Sequence, residues 1–102
     1  MFERLLDTGL AVAGDVKACP GKTIVPLYRH HVFAQIKPAT RSRIDLGLAL
    51  GKEKARVPKR LIDTGGREKG DRITHRIEIT RVEHVDDDAR RWLKRAYDLD
   101  AG

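Results

Sequence analysis

The stretch "RIDLGLAL", residues 43–50, decides the fold. Four apolar residues alternate there with four polar or small ones: Ile44, Leu46, Leu48 and Leu50 against Arg43, Asp45, Gly47 and Ala49. Because successive side chains of a β-strand point to opposite faces, this period of two predicts a strand with one buried face. Such alternation is typical of an antiparallel sheet with one face packed on a core. We therefore predict a central strand here.

Residues 72–81, "RITHRIEITR", show the same alternation. One predicted face holds Ile73, His75, Ile77 and Ile79, and the other holds Arg72, Thr74, Arg76, Glu78 and Thr80. His75 interrupts an isoleucine face, where a hydrogen-bonded core histidine is the ordinary interpretation and a catalytic histidine is the alternative. This segment is predicted to be a second strand packed on the same core.

Two more strands are predicted earlier in the chain. Residues 23–29 are β-branched, but Pro26 cannot donate to a strand ladder, which indicates an edge strand or a bulge. Residues 31–37 place Val32, Ala34 and Ile36 on one face. The opposite, polar face would then carry His31, Phe33, Gln35 and Lys37.

Helical spacing of apolar residues appears at both ends of the chain. A helix is predicted over residues 2–13, and a second one begins at three aspartates, 86–88, which suit a helix N-terminus. Its buried stripe is Ala89, Trp92, Leu93, Ala96 and Tyr97. Pro58 is predicted to open a helical turn over residues 59–63. The predicted fold is α+β, an antiparallel four-stranded sheet with N- and C-terminal helices packed on one face.

The composition indicates one small domain, residues 1–102. Hydrophobic residues make up 40% and charged residues 35%, which is typical of a globular chain with a highly charged surface. No apolar run reaches the roughly 18–20 residues needed to cross a bilayer, so we expect no membrane association. The absence of a signal-peptide pattern and a single cysteine, Cys19, favour a cytoplasmic location.

Positive charge is concentrated in the middle of the chain. Residues 37–81 contain thirteen Lys or Arg and six Asp or Glu, whereas the net charge of the whole chain is +6. This distribution favours either a positive patch that attracts anions or a solvated, charged surface without a partner.

Two segments resemble phosphate-binding loops. Gly21-Lys22-Thr23 has the closing triplet of a P-loop, but Val16 stands where the first glycine belongs, and a strand follows instead of a helix. Residues 64–72, "TGGREKGDR", lack the Lys-Ser/Thr pair. Their glycines would permit either an anion-binding concavity or a flexible basic hairpin loop.

Spacing excludes several kinds of chemistry. No Cys-x-x-Cys or His-x-x-x-His pair is present, so neither a metal nor another cofactor is expected. Ser42, the only serine, lies among arginines without a nucleophile motif.

We expect a non-enzymatic binding module for an anionic partner: nucleic acid, a phosphorylated ligand or an acidic protein. The candidate binding residues are Lys37, Arg41, Arg43, Asp45, Arg67, Lys69, Arg72, His75 and Arg76.

Two alternatives remain open at this point. One is a small enzyme or ligand-binding domain with a polar pocket formed by Tyr28, His31, Asp45, His75 and Arg76. The other is a homo-oligomeric interaction domain that dimerises through the polar sheet face or the edge at residues 23–29.

Three long stretches carry a resemblance to a family: "CPGKTIVPLYRHHVFAQIKPATRSRIDLGLAL", "RLIDTGGREKGDRITHRIEIT" and "RRWLKRAYDLDA". They resemble a bacterial domain of unknown function, the family numbered five-six-five-five, over nearly the whole chain from about Gly14. Members of the family are short free-standing proteins or C-terminal partners of another uncharacterised domain. The resemblance thus implies association with a second small domain as a further kind of partner, and it assigns no catalytic residue.

Overall fold

The computed structural model describes residues 2–18, 24–51, 53 and 56–100, without the side chains of Phe2 and Arg67. In chain order the elements are α1 (Phe2–Leu10), β1 (Lys17–Ala18), β2 (Val25–Tyr28), β3 (Val32–Pro38), β4 (Ile44–Leu48), β5 (Ile62–Asp63), α2 (Gly66–Lys69), β6 (His75–Ile79), a 3₁₀ turn (Val82–His84) and α3 (Asp87–Leu99). The Gly21-Lys22-Thr23 triplet and Cys19 lie outside the described residues. The α+β class and both terminal helices are confirmed.

All six strands belong to one antiparallel sheet, in the order β1-β2-β3-β4-β6-β5. The prediction of four strands is therefore wrong, because β1 and β5 add one two-residue strand at each edge. Residues 59–63, predicted to form a helical turn, contain a turn at 59–60 and then β5. β1 pairs with Leu27 and Tyr28, which form half of the strand that was considered as one possible dimerisation edge.

The core lies on one face of the central strands. Ile44 pairs with Ile79 and Leu46 pairs with Ile77 across β4 and β6, and all four side chains are buried. Their predicted inward orientation is confirmed. His75 is buried on the same face, and its Nδ1 lies 2.9 Å from the Thr74 hydroxyl, as expected of a hydrogen-bonded core histidine.

Three side chains lie on the face opposite to the one predicted. Val32 pairs with Tyr28 and lines an outer-face pocket with Gln35 and Ile73 instead of packing in the core. Phe33 is fully buried against Tyr97, with ring centroids 5.6 Å apart. Between the pairs Leu27–Ala34 and Tyr28–Val32, the register advances by one residue in β2 and by two in β3. Phe33 is thus the extra residue of a β-bulge, which turns its ring inward. Ile73 lies over Gly47 on the opposite face, because regular alternation begins only with β6 at residue 75.

Both terminal helices cover the core face of the sheet. α1 and α3 contact each other and β3, and Leu5, Ala89 and Leu93 are fully buried in the same core. As predicted, α3 begins at the aspartates: the Asp86 carboxylate accepts a hydrogen bond of 3.0 Å from the Ala89 amide. None of the helices in the described part of the chain is long and apolar enough to cross a membrane. The opposite face of the sheet, called the outer face below, is left to solvent and to residues 64–73.

Candidate functional site

Four charged side chains form a cluster on the outer face. Asp45 and Glu78 lie directly opposite each other in β4 and β6, a pairing in which like charges repel. Arg43 offsets this repulsion, because its Nε lies 3.1 Å from Asp45 Oδ1 and its Nη1 lies 3.3 Å from Glu78 Oε2. Arg76 also bridges the two carboxylates, at 4.0 Å and 3.5 Å. The cluster therefore has no net charge, and both guanidinium groups are already engaged in offsetting the repulsion between Asp45 and Glu78.

The inner atoms of this cluster are closed to solvent. The Nε atoms of Arg43 and Arg76 and the Oδ1 atom of Asp45 are buried, and no described residue forms a hydrogen bond of suitable geometry with them. About a third of each arginine side chain is exposed. Only the outward nitrogens of these guanidinium groups can therefore reach a ligand.

A cleft of about 210 Å³ lies beside the cluster, between the outer face and residues 64–73. Its polar lining consists of Gln35, Lys37, Asp45, Thr64, Asp71 and Arg76. Gly47 forms the floor, and a Cβ atom there would lie 2.8 Å from both Gln35 Cγ and Ile73 Cγ2. The glycine thus lets these two side chains close over β4. We call this space the outer-face cleft.

The second wall of the cleft is a structured segment. Thr64 donates its amide to the Thr74 carbonyl at 3.0 Å, and its hydroxyl donates to the Ile73 carbonyl at 3.2 Å. The Asp71 amide donates to the Gly66 carbonyl at 2.8 Å, which closes the single turn of α2. The predicted flexible loop is therefore a short helix, and it is held against the outer face.

The structure brings only some of the candidate anion-binding residues to the cleft. Lys37, Asp45 and Arg76 line it, and Arg43 stands behind them. Arg41 is exposed in the β3–β4 hairpin, and Lys69 is exposed on α2. The Arg67 side chain is outside the described part of the chain.

Arg72 lies elsewhere, at a polar corner near the C-terminal end of α3. Its Nη2 is 3.5 Å from Asp100 Oδ1, and its Nε donates to the Val32 carbonyl at 3.2 Å. Arg43, Arg72 and Arg76 therefore do not form the common wall that strand alternation predicts, because Arg72 precedes the regular part of β6. We call this region the polar corner; it consists of Asp100 with His31 and Arg72, which both contact the Asp100 carboxylate.

Asp100 is a buried carboxylate with an unusually full set of donors. Its Oδ2 accepts from the amides of His30 and His31 at 3.0 and 2.8 Å, and its Oδ1 lies 2.8 Å from His31 Nδ1. Burial by itself raises the pKa of the Asp100 carboxyl, but the hydrogen bonds from His31 and His30 outweigh it and hold the pKa below its ordinary value. Asp100 is therefore a permanent negative charge at neutral pH.

The five residues of the alternative pocket do not converge. Asp45 and Arg76 lie on the outer face, His75 is in the core, and His31 is held at the polar corner by Asp100. The hypothesis of a single polar pocket that contains all five residues is therefore wrong. Within the described residues, no three His, Cys, Asp or Glu side chains form a group that could hold a metal ion.

Sequence reasoning missed four residues that shape the sites: Gln35, Thr64, Asp71 and Asp100. One signal was available, since a glycine inside an alternating strand indicates a close approach by another group, and Gly47 is such a glycine. Asp100 gave no signal, because its partners lie about 70 residues earlier in the chain.

One of the comparisons with known proteins identifies a family. The sequence model of the family described as "Domain of unknown function (DUF5655)" matches residues 1–100. This chain belongs to that family. No curated protein and no solved structure matches it significantly.

Proposed function

We propose that this member of the DUF5655 family is a non-enzymatic binding domain whose ligand, a small molecule with an anionic group, occupies the outer-face cleft. The observation that carries this proposal is the lining of the cleft, where six polar side chains converge on a glycine floor. Concave sites with a few convergent polar groups are the usual places where proteins hold small ligands.

Lys37 is the group that recognises the anion. None of the ion pairs among the described residues includes it, whereas Arg76 already contacts Asp45 and Glu78. Lys37 is exposed and lines the cleft, and its ammonium group has three donors for a phosphate or carboxylate group. The outward nitrogens of Arg76 supplement it.

The other lining groups favour a ligand with donors as well as an anion. Asp71 is an acceptor, and the Gln35 amide both donates and accepts. Hydroxyl groups near the anionic group would satisfy both side chains. A phosphorylated polyol or sugar has this combination of groups. The cleft volume, about 210 Å³, is below the roughly 300–1,000 Å³ typical of drug-sized ligands, which favours a small metabolite.

Two features disfavour nucleic acid as the partner. The outer-face guanidinium groups of Arg43 and Arg76 are paired with carboxylates, so they contribute little to neutralising a polyanion. Phe33, whose ring could stack with bases only from the outer face, is in the core. We expect DNA and RNA oligomers to bind weakly at low salt, with a small salt dependence, and fluorescence anisotropy would measure both.

NMR titration with glycerol phosphate tests the proposal. We expect shifts of the backbone amide signals of Gln35, Gly47, Thr64 and Asp71, which surround the cleft. Lys37→Gln should weaken binding at least about tenfold, because a charge-assisted hydrogen bond contributes about 1.5–3 kcal/mol. Lys59→Gln removes the same charge from an exposed turn and should leave binding unchanged.

Two results would contradict the proposal. One is a set of shifted amides scattered over the surface and not gathered around the cleft. The other is an equal loss of affinity in both lysine variants, which would show that only the net charge of the protein matters.

A further inference from the structure

A second concave space continues the outer-face cleft along strand β3. It has a volume of about 330 Å³ and is lined by Val32, Gln35, Asp71, Arg72 and Ile73. Three of these residues, Gln35, Asp71 and Ile73, also line the outer-face cleft, so the two spaces adjoin. We call the second space the adjoining pocket. Together they form one groove with room for a larger ligand than the cleft alone can hold.

The adjoining pocket adds an apolar surface to this groove. Val32 and Ile73 are half-buried and line the pocket, and neither side chain packs against the core cluster. Contact with an apolar part of a ligand would remove their exposed surface from water, which is favourable. The pair therefore offers an apolar contact that the core does not use.

Arg72 lines the same pocket and is held beside Val32. Its Nε donates to the Val32 carbonyl at 3.2 Å, and its Nη2 lies 3.5 Å from Asp100 Oδ1. A guanidinium group stacks on an aromatic ring through its flat face, which uses none of its N–H donors. These contacts therefore leave Arg72 able to stack, and a flat ring suits the pocket better than an alkyl chain does.

The order of the lining residues along β3 gives the groove a direction. Lys37, Gln35 and Val32 follow one another along the strand over a length on the order of 15 Å, at about 3.3 Å per residue. Lys37 lines only the cleft, Gln35 lines both spaces, and Val32 lines only the adjoining pocket. A cationic end, a polar middle and an apolar end therefore succeed one another.

We infer that the ligand of this groove is a nucleoside 5′-monophosphate, an inference that rests on the function proposed for the cleft. The phosphate group binds Lys37, the ribose hydroxyl groups donate to the Asp71 carboxylate, and the base lies on Val32 and Ile73. An acidic side chain accepts from ribose hydroxyl groups in the same way in dinucleotide-binding folds. A mononucleotide has one phosphate group, so it needs no continuous basic surface.

NMR titrations with ribose 5-phosphate and with adenosine 5′-monophosphate (AMP) test the inference, because the base is the part that only AMP contains. We expect both ligands to shift the amide signals of Gln35 and Asp71, which lie where the two spaces meet. AMP should also shift the methyl signals of Val32 and Ile73. Since stacking and apolar contact of a base add to the affinity, AMP should bind about tenfold more tightly than ribose 5-phosphate.

One variant and a matched control isolate the contribution of the apolar end. Val32→Thr keeps the branched shape of the side chain but replaces a methyl group by a hydroxyl group. It should weaken AMP binding about threefold and leave ribose 5-phosphate binding unchanged. Val82→Thr makes the same change at an exposed valine of the 3₁₀ turn and should leave the affinity for both ligands unchanged.

The two ligands separate this inference from the proposal on which it rests. Equal affinities for AMP and ribose 5-phosphate, both bound at the cleft, would overturn the inference and still support an anion site at Lys37. Equal effects of Val32→Thr and Val82→Thr on AMP binding would likewise overturn it. If neither ligand shifts the signals around the cleft, both the inference and the proposed function are wrong.

Discussion

Replacement of Asp100 by alanine should cost more stability than any other change to an acidic side chain in the described part of the chain. The carboxylate joins the last turn of α3 to the β2–β3 turn through the amides of His30 and His31. Asp100 is buried, so truncation of its side chain leaves both amides without an acceptor where solvent does not replace it.

The magnitude follows from the individual contacts. A hydrogen bond to a charged group contributes about 1.5–3 kcal/mol, and two such bonds reach the backbone amides. The His31 ring and Arg72 are about half exposed, so each adds no more than about 1 kcal/mol. The free energy of unfolding should therefore fall by about 3–8 kcal/mol, out of the roughly 5–15 kcal/mol typical of a domain. Asp100→Asn keeps one acceptor oxygen and should lose about 2 kcal/mol.

Urea unfolding followed by the fluorescence of Trp92, the single tryptophan, measures these losses. With a slope of about 1.5 kcal/mol per molar urea, the alanine variant should have a midpoint at least about 2 M lower. Asp98→Ala is the matched control, because Asp98 forms an exposed ion pair with Lys94 on the same helix and should cost less than about 0.5 kcal/mol. A loss for Asp100→Ala that is no larger than the loss for Asp98→Ala would refute the reasoning.

Two further predictions concern a glycine and acid pH. Gly66→Ala should destabilise the protein by about 2–3 kcal/mol, because the new Cβ would overlap the Ile73 carbonyl oxygen. Gly65→Ala has open space around the new Cβ and is strained only by its φ of 76°, so it should cost about 1 kcal/mol. Urea midpoints in the reverse order would contradict this prediction. The pKa values of Asp15, Asp86 and Asp100 are lower in the folded protein than the roughly 3.9 of an unfolded chain. These three carboxylates therefore stabilise the folded state fully above about pH 3.9, and they lose this stabilisation as the pH falls through their folded-state pKa values. Unfolding free energies measured from pH 7 to pH 2 should fall below about pH 4, and less steeply in Asp100→Asn.

The sequence predicted those parts of the fold that repeat a pattern. β4 and β6 alternate over at least five residues with one face buried, and α3 has both a capping aspartate and an apolar stripe. β1 and β5 have two residues each, and a period of two cannot be recognised in a segment that is one period long. The edge strands therefore depend on pairing partners that the local sequence does not specify.

The candidate site was only partly predictable for a related reason. Side-chain faces follow from alternation until the backbone departs from it, as it does at the bulge that contains Phe33 and in the irregular residues before β6. The first departure moved an expected ring from the outer face into the core, and the second moved Arg72 to the polar corner. Asp100 reaches its partners only in the folded chain, so no local pattern could have identified it.

The outer-face cations of residues 37–81 do not form a continuous basic wall in the described part of the chain, and the register of the sheet explains why. Asp45 and Glu78 face each other across β4 and β6, so the two arginines beside them are needed to offset a repulsion within the fold. The proposed anion recognition therefore rests on cations outside these ion pairs, of which Lys37 lines the outer-face cleft. A site with one or two cations suits the small anionic ligand proposed for the cleft, whereas a polyanion would need a continuous basic wall, which the described outer-face residues do not form.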